Sequence, residues 1–325
     1  MVFEGAEKKA EVVVSKDYIS KHGSLKTWPR ERWEKLVAAS NAQIMSEVHN
    51  DKLSAYLLSE SSLFVWDNRI VLITCGQTTL ANAVECFFEF CHPENIECLI
   101  FERKNEYFPE DQLSDFHTDV VRLNKHLNGK GYLFGEEKDR HLYLYHMNKE
   151  FEPPENDVTI EVLMYGLQGE SRDVFNSEKQ SLENLRRLTG IHEILPGYQV
   201  DDYLFEPCGY SINAIKDSEY YTIHVTPQDQ CPYVSFETNA KVNDSYAELV
   251  EKVIKIFNPE KFEVIIFRSS LQEFINLPRY KIKKAVKQKL SCGYIVNYCQ
   301  FDDKNLLKQE SSKINLSDEA TVLNV

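Results

Sequence analysis

Two stretches of this chain carry nearly the same pattern: residues 90–104 read FCHPENIECLIFERK and residues 256–270 read IFNPEKFEVIIFRSS. Each follows an apolar stripe at helical spacing, Leu80, Ala83, Val84, Phe87, Phe88 and Cys91 in the first, and Tyr246, Leu249, Val250, Val253, Ile254 and Phe257 in the second. A His-Pro-Glu or Asn-Pro-Glu stop then leads into a short strand, Glu97 to Phe101 or Phe262 to Phe267. Before the helices stand strands at Arg69 to Thr74 and Tyr233 to Glu237, with Asn243-Asp244 expected to cap the second helix. The chain is therefore an internal duplication of strand–helix–strand halves. Two units are too few for a solenoid. Two sheets face to face with helices outside is the economical fold. Residues 3–14 add a first strand, and residues 28–39 (WPRERWEKLVAA) a helix with Pro29 in its first turn.

A chain of 325 residues, 42% apolar, can bury the core such a sandwich needs. We expect one sandwich domain over residues 1–302 and a polar, flexible tail over 303–325. No apolar run approaches the ~18 residues of a membrane span, and the start MVFEGAEKKAEVVV lacks the pattern of a secretory signal. Eight scattered cysteines then read as reduced cytosolic thiols. A net charge of −14 argues against nucleic acid and favours cationic ligands. The basic run Arg279 to Lys289 (RYKIKKAVKQK) has no aromatic platform beyond Tyr280 and reads as a solvated helix face. Cys86, Cys91, His92 and Cys98 form no close pair motif, so no metal is expected.

Two strands carry unusual polar residues. Tyr56 to Cys75 (YLLSESSLFVWDNRIVLITC) reads as strands joined by a tight turn at Asp67-Asn68, but Ser59-Glu60-Ser61-Ser62 interrupts the apolar pattern. Local pattern alone makes that break a loop. In Asp157 to Met164, period two puts Val158, Ile160, Val162 and Met164 on one face and Asp157, Thr159 and Glu161 on the other. In an exposed sheet those carboxylates would be solvated. Between two packed sheets they would need a cationic partner.

Taken in order, FEGAEK (Phe3 to Lys8), LLSESSLF (Leu57 to Phe64), TCG (Thr74 to Gly76), RKN (Arg103 to Asn105), DVTIEVLM, PCGYSINA (Pro207 to Ala214), TIHVTP (Thr222 to Pro227) and YVSFETN (Tyr233 to Asn239) resemble the eukaryotic S-adenosylmethionine decarboxylase proenzymes. The resemblance implies a four-layer α/β/β/α sandwich of two antiparallel sheets. It implies that Ser61 attacks the Glu60 carbonyl, that the chain splits at Glu60-Ser61 into a small chain (1–60) and a large chain (61–325), and that Ser61 becomes a pyruvoyl group, the cofactor. That group would form a Schiff base with S-adenosylmethionine and act as electron sink for loss of CO₂. The decarboxylated product is the aminopropyl donor for spermidine and spermine. By the same resemblance His224 is the processing base, Ser211 sits near the ester, and Cys75 returns the proton. Glu4 and Glu7 match acidic residues tied to activity and processing. Phe3 and Phe205 flank the adenine, with Glu60 and the backbone near Leu58 lining the pocket.

The chain departs from that pattern at three positions. Gln228 stands where most relatives have a ribose-binding glutamate, which removes charge assistance and should weaken substrate binding. Ile73 replaces a lysine usual in animal members, while Lys9 stands where those members are apolar and plant members basic. Among Glu11, Asp157, Thr159, Glu161 and Glu237, the residues matching the animal putrescine site, Lys9 is expected to fill part of the diamine's role, so any putrescine response should be small. Family members occur as a dimer of processed pairs or as a single pair, and the sequence leaves both open. A catalytically weak paralogue that regulates an active partner is the alternative reading.

Overall fold

The computed structural model describes residues 3–303 apart from residues 169, 177, 179, 229, 243, 244 and 272. The first sheet contains β1 (Lys8–Val14), β2 (Ile44–His49), β3 (Ser54–Leu58), β4 (Ser61–Val65), β5 (Arg69–Thr74), β6 (Ile96–Lys104), β7 (Gly129–Gly135) and β8 (His141–Met147). The second contains β9 (Val158–Leu167), β10 (Gln199–Leu204), β11 (Tyr210–Lys216), β12 (Glu219–Thr226), β13 (Tyr233–Thr238), β14 (Pro259–Arg268), β15 (Tyr280–Lys289) and β16 (Ile295–Asp303). Their orders are β2-β3-β4-β5-β1-β6-β8-β7 and β10-β11-β12-β13-β9-β14-β16-β15. Adding eight to every label of the first sheet reproduces the second. The duplication thus extends to the whole topology, and β4 and β12 hold equivalent positions.

Helices α1 (Lys16–His22), α2 (Arg30–Ala39), α3 (Leu80–Phe90) and α4 (Phe116–Leu123) belong to the first half, and α5 (Glu170–Asp173), α6 (Leu182–Thr189) and α7 (Tyr246–Phe257) to the second. Trp33, Val84 and Phe87 pack on Ala10, Val12 and Leu72 outside one sheet, and Val250, Val253 and Phe257 on Val162, Phe236 and Val264 outside the other. The inner faces meet through Val13, Ile100, Leu163, Ile265 and Phe267 at one side and Phe64, Ile73, Ile215 and Tyr220 at the other. That gives the four-layer α/β/β/α sandwich. Phe87, on the inward face of α3, is fully buried, and truncating it to alanine would cost about 3–5 kcal/mol.

Several local expectations are corrected. Residues 279–289 hold no helix: β15 is an edge strand paired with β16. Lys281, Lys283, Lys284, Lys287 and Lys289 guard the edge against further pairing. The first strand begins at Lys8: Phe3 to Glu7 lie outside it, with the Glu4 and Glu7 carbonyls accepting the Gly76 and Lys104 N–H groups. Pro29 is the cap preceding α2, not part of its first turn. The cap of α7 is Ser245, whose side chain accepts from the Ala247 N–H, whereas Asn243-Asp244 lie outside the described residues. Strand β16 includes Asp303. The rest of the expected tail, residues 304–325, lies outside the described residues. Among the described residues no helix is long and apolar enough to cross a membrane.

Candidate functional site

The equivalent strands β4 and β12 come together at one end of the sandwich around a cleft of about 240 Å³. Ser61 opens β4 directly after the Ser59-Glu60 turn, with φ +126°. That region is strained for a residue with a β-carbon, by about 1–3 kcal/mol. Its Oγ lies 3.2 Å from His224 Nδ1 on β12. The same Nδ1 stands 2.7 Å from Glu7 Oε1, which also accepts from Ser235 Oγ at 2.5 Å. His224 Nε2 stands 2.9 Å from Ser62 Oγ and 3.2 Å from Thr222 Oγ1. Asn213 Oδ1 accepts from both hydroxyls. The histidine is thus locked by partners from both sheets.

The Glu60 carbonyl oxygen accepts the Cys75 backbone N–H at 3.0 Å. A donor on that oxygen polarises the carbonyl next to the Ser61 hydroxyl. The Cys75 thiol reaches the Ser61 side chain, and burial, with Glu60 and Glu7 nearby, pushes its pKa well above the ordinary value. It is therefore held protonated. Burial also raises the Glu60 carboxyl to about 7, with Lys8 opposing. The Lys8 ammonium donates to Gly76 O at 2.9 Å and Gln112 Oε1 at 2.7 Å, and burial lowers it to about 8.

Phe3, Glu60, Phe205, Ser211 and Gln228 line the same cleft. The Phe3 ring and Glu60 Oε2 lie over Gly76, at φ +65°, so closely that any β-carbon there would collide with them. Gln228 Oε1 accepts the Phe3 N–H at 2.8 Å and so fixes that ring's backbone. Ser211 is the register partner of His224. The Leu58 side chain is buried in the core beneath the first sheet's helices, and the neighbouring Ser59 is the residue of that stretch that lines the cleft beside Glu60. Glu4 stands apart from the hydroxyl–imidazole group. Its carboxylate accepts the N–H groups of Ala6, Tyr107 and Phe108 and so ties the chain's first segment to the loop after β6.

A second polar cluster fills the layer between the sheets. Lys9 Nζ lies 2.8 Å from Glu161, 3.0 Å from Glu237 and 3.9 Å from Glu102. Lys104 bridges Glu102 and Glu161. Arg69 pairs with Asp157 at 2.5 Å and Glu11 at 3.4 Å. Thr159 shares the face of Glu161. Burial disfavours the Lys9 charge, but the three glutamates outweigh it and hold its pKa well up. Burial raises Glu237 to about 8 despite Lys9. Lys9 is in register with Ile73 across β1 and β5. The cation therefore sits one strand from the position of the lysine expected from the resemblance, on the same inner face.

Sequence reading missed Asn213, Ser235, Glu102 and Lys104. The last two follow Cys98 and Ile100 at period two, a signal lost by ending that strand at Phe101. Cys91 and Cys98 lie in different layers, outside and inside the first sheet. Among the described residues no cluster of three or more His, Cys, Asp or Glu is placed to hold a metal.

The sequence matches the adenosylmethionine decarboxylase family over residues 1–310. It is 34% identical to the S-adenosylmethionine decarboxylase proenzyme of Leishmania donovani, over 96% of this chain and 82% of that protein. The Xenopus laevis proenzyme is 38% identical over 82% of this chain and 83% of that one. The crystal structure of the Trypanosoma brucei AdoMetDC-delta26 monomer superposes with a TM-score of 0.59 at 29% identity, covering 74% of this chain and 99% of that one.

Proposed function

The chain belongs to the adenosylmethionine decarboxylase family, and we propose that it cuts itself at Glu60-Ser61 to make a pyruvoyl cofactor and then decarboxylates S-adenosylmethionine for polyamine synthesis. The observation carrying this reading is the junction itself: a strained Ser61 with its hydroxyl on His224, beside a Glu60 carbonyl polarised by the Cys75 N–H. Ser61 Oγ attacks that carbonyl. Its proton passes to the nitrogen leaving Glu60, and the peptide becomes an ester. His224, held by Glu7, takes the α-hydrogen of Ser61, and the C–O bond of the ester breaks to free residues 1–60. Addition of water to the remaining dehydroalanine expels ammonia and leaves the keto-acyl end. Ser62 is a poor rival, because its hydroxyl is already engaged by Asn213 and His224.

The pyruvoyl group supplies a carbonyl that takes up the substrate amine and draws off the electrons released with CO₂. The residues around it do the rest. Cys75, kept as a thiol, gives a proton back to the substrate α-carbon. Phe3 and Phe205 stack on the adenine, worth about 0.5–1.5 kcal/mol beyond burial. Glu60, the last residue of the small chain after the cut, lines the cleft that takes the sulfonium. Lys9 and Lys104 supply between the sheets the positive charge that putrescine would bring, so putrescine activates weakly. Denaturing mass measurement tests the core of this: the wild-type chain should split into two, the large one reacting with hydrazine, and Ser61→Ala should stay whole. A wild-type chain that stays uncut and releases no CO₂ would refute it.

A further inference from the structure

Six lysines and arginines are buried among the described residues: Lys8, Lys9, Arg103, Lys104, Arg140 and Arg268. Five have polar partners. Lys8 donates to Gly76 and Gln112, and Lys9 and Lys104 meet glutamates. Arg103 pairs with Glu106 and Asp119, and Arg140 with Asp302 and two carbonyls. Arg268 differs. It is 5% exposed, makes no hydrogen bond or ion pair with any described residue, and has only the Tyr246 ring 5.8 Å away. An unpaired buried guanidinium is costly, and burial depresses its pKa.

Arg268 ends β14, at the opposite end of the strands from the Ser61 cleft, on the face that carries Phe262, Val264 and Ile266 toward the helices. It forms part of the wall of a pocket of about 340 Å³ with Lys241, Ser270 and Tyr246, the first residue of α7. We propose that this pocket binds a small oxyanion of the phosphate class, free or as a phosphate ester, with Arg268 as its buried anchor. The guanidinium fork matches two oxygens at once. The rim supplies the Lys241 charge and the Ser270 hydroxyl, and the N-terminal end of the twelve-residue α7 adds its partial positive charge. Two carboxylates also line the pocket. Asp157 is neutralised by Arg69 and hydrogen-bonded by Tyr294, and Glu155 is exposed on the rim, where solvent screens it. The same wall of residues 155–158 and Lys241 opens onto a groove of about 740 Å³, which has room for the organic part of an ester.

The test is calorimetric titration of the full processed protein at fixed ionic strength, with inorganic phosphate in one arm and a nucleoside monophosphate in the other. Saturable binding at one site is expected, weakened at least tenfold by Arg268→Gln and several-fold by Lys241→Gln. Tighter binding of the ester identifies an esterified ligand, and equal binding identifies the free ion. In phosphate-free buffer Arg268→Gln should melt at or above the parent, since it removes an unpaired charge, and only the parent should gain on adding phosphate. Decarboxylation without phosphate should be unchanged in both variants. Binding of neither probe, or affinity unchanged in either variant, overturns the proposal. Should Arg268→Gln fail to fold, the Lys241→Gln titration decides.

Discussion

Replacing Lys9 with methionine keeps most of the side-chain volume and removes one charge from the layer between the sheets. The lysine is 2% exposed and has carboxylates at 2.8, 3.0 and 3.9 Å. Around it, three cations (Lys9, Lys104, Arg69) face five carboxyls (Glu11, Glu102, Asp157, Glu161, Glu237). Burial raises Glu237 to about 8, so at neutral pH that group already holds a proton part of the time. Breaking a buried pair costs about 3–5 kcal/mol because the remaining charge is stranded. Fuller protonation of Glu237 offsets some of this. The expected loss is therefore about 3 kcal/mol at pH 8.5 and clearly less at pH 6, where the parent's Glu237 is already neutral. Urea unfolding of processed protein at the two pH values measures it. Putrescine, a dication, should restore stability and turnover to Lys9→Met while doing little for the parent. A loss under ~1 kcal/mol at both pH values, or several-fold activation of the parent by putrescine, would refute the reasoning.

Gln228→Glu keeps an oxygen for the Phe3 N–H and adds a charged acceptor for the ribose. A charge-assisted bond gains about 1 kcal/mol over a neutral one, so KM should fall about fivefold with kcat unchanged; an unchanged KM removes the role. Cys75→Ala keeps the backbone N–H on Glu60, so the chain should still be cut while turnover falls about 10²-fold; a gel and a CO₂ assay separate the two, and loss of cutting contradicts the assignment. Burial raises Glu263, bonded by Tyr298 at 2.7 Å and Tyr165 at 3.2 Å, from 4.5 to about 7. A raised acid stabilises below its unfolded value, and the contribution is lost as pH climbs through the folded one. The parent should therefore lose about 3 kcal/mol relative to Glu263→Gln between pH 4.5 and 8, and parallel melting curves across that window would disprove it.

The duplication was legible because it rests on amphipathic helices and proline stops, which are local signals. The first repeat's Leu80 and Phe87 and the second's Leu249 and Phe257 are buried under the helices as their spacing requires. The inner-face charges were half legible. Period two puts Glu161 inward, but Lys104 lies past Phe101, where the apolar run of that strand stops. The lysine run of β15 could not be read locally, since only its pairing with β16 makes it a strand. Glu7, Ser235 and Asn213 meet His224, directly or through a shared hydroxyl, from separate strands and segments. No spacing along the chain encodes such a meeting.

Duplication also explains why the cleft can hold both a strained serine and an imidazole. The equivalent strands β4 and β12 occupy the third position of their sheets, so packing the inner faces brings the two into contact. The halves differ in sequence while keeping the same strand order. Strand β4 begins in a tight turn that forces Ser61 to positive φ, while β12 is a regular strand whose alternation presents Thr222, His224 and Thr226 inward. A strained peptide is destabilising in any single sheet. Here it is held by the Cys75 N–H within its own sheet and by His224 from the other, so loosening the packing between halves should relax Ser61 before either sheet unfolds. The charged layer lies directly behind it, with Lys9 one residue from Lys8, which reaches Gly76. Charge balance between the sheets is thereby linked to the geometry of the Glu60-Ser61 bond through β1, and through β13, which carries both Glu237 and Ser235.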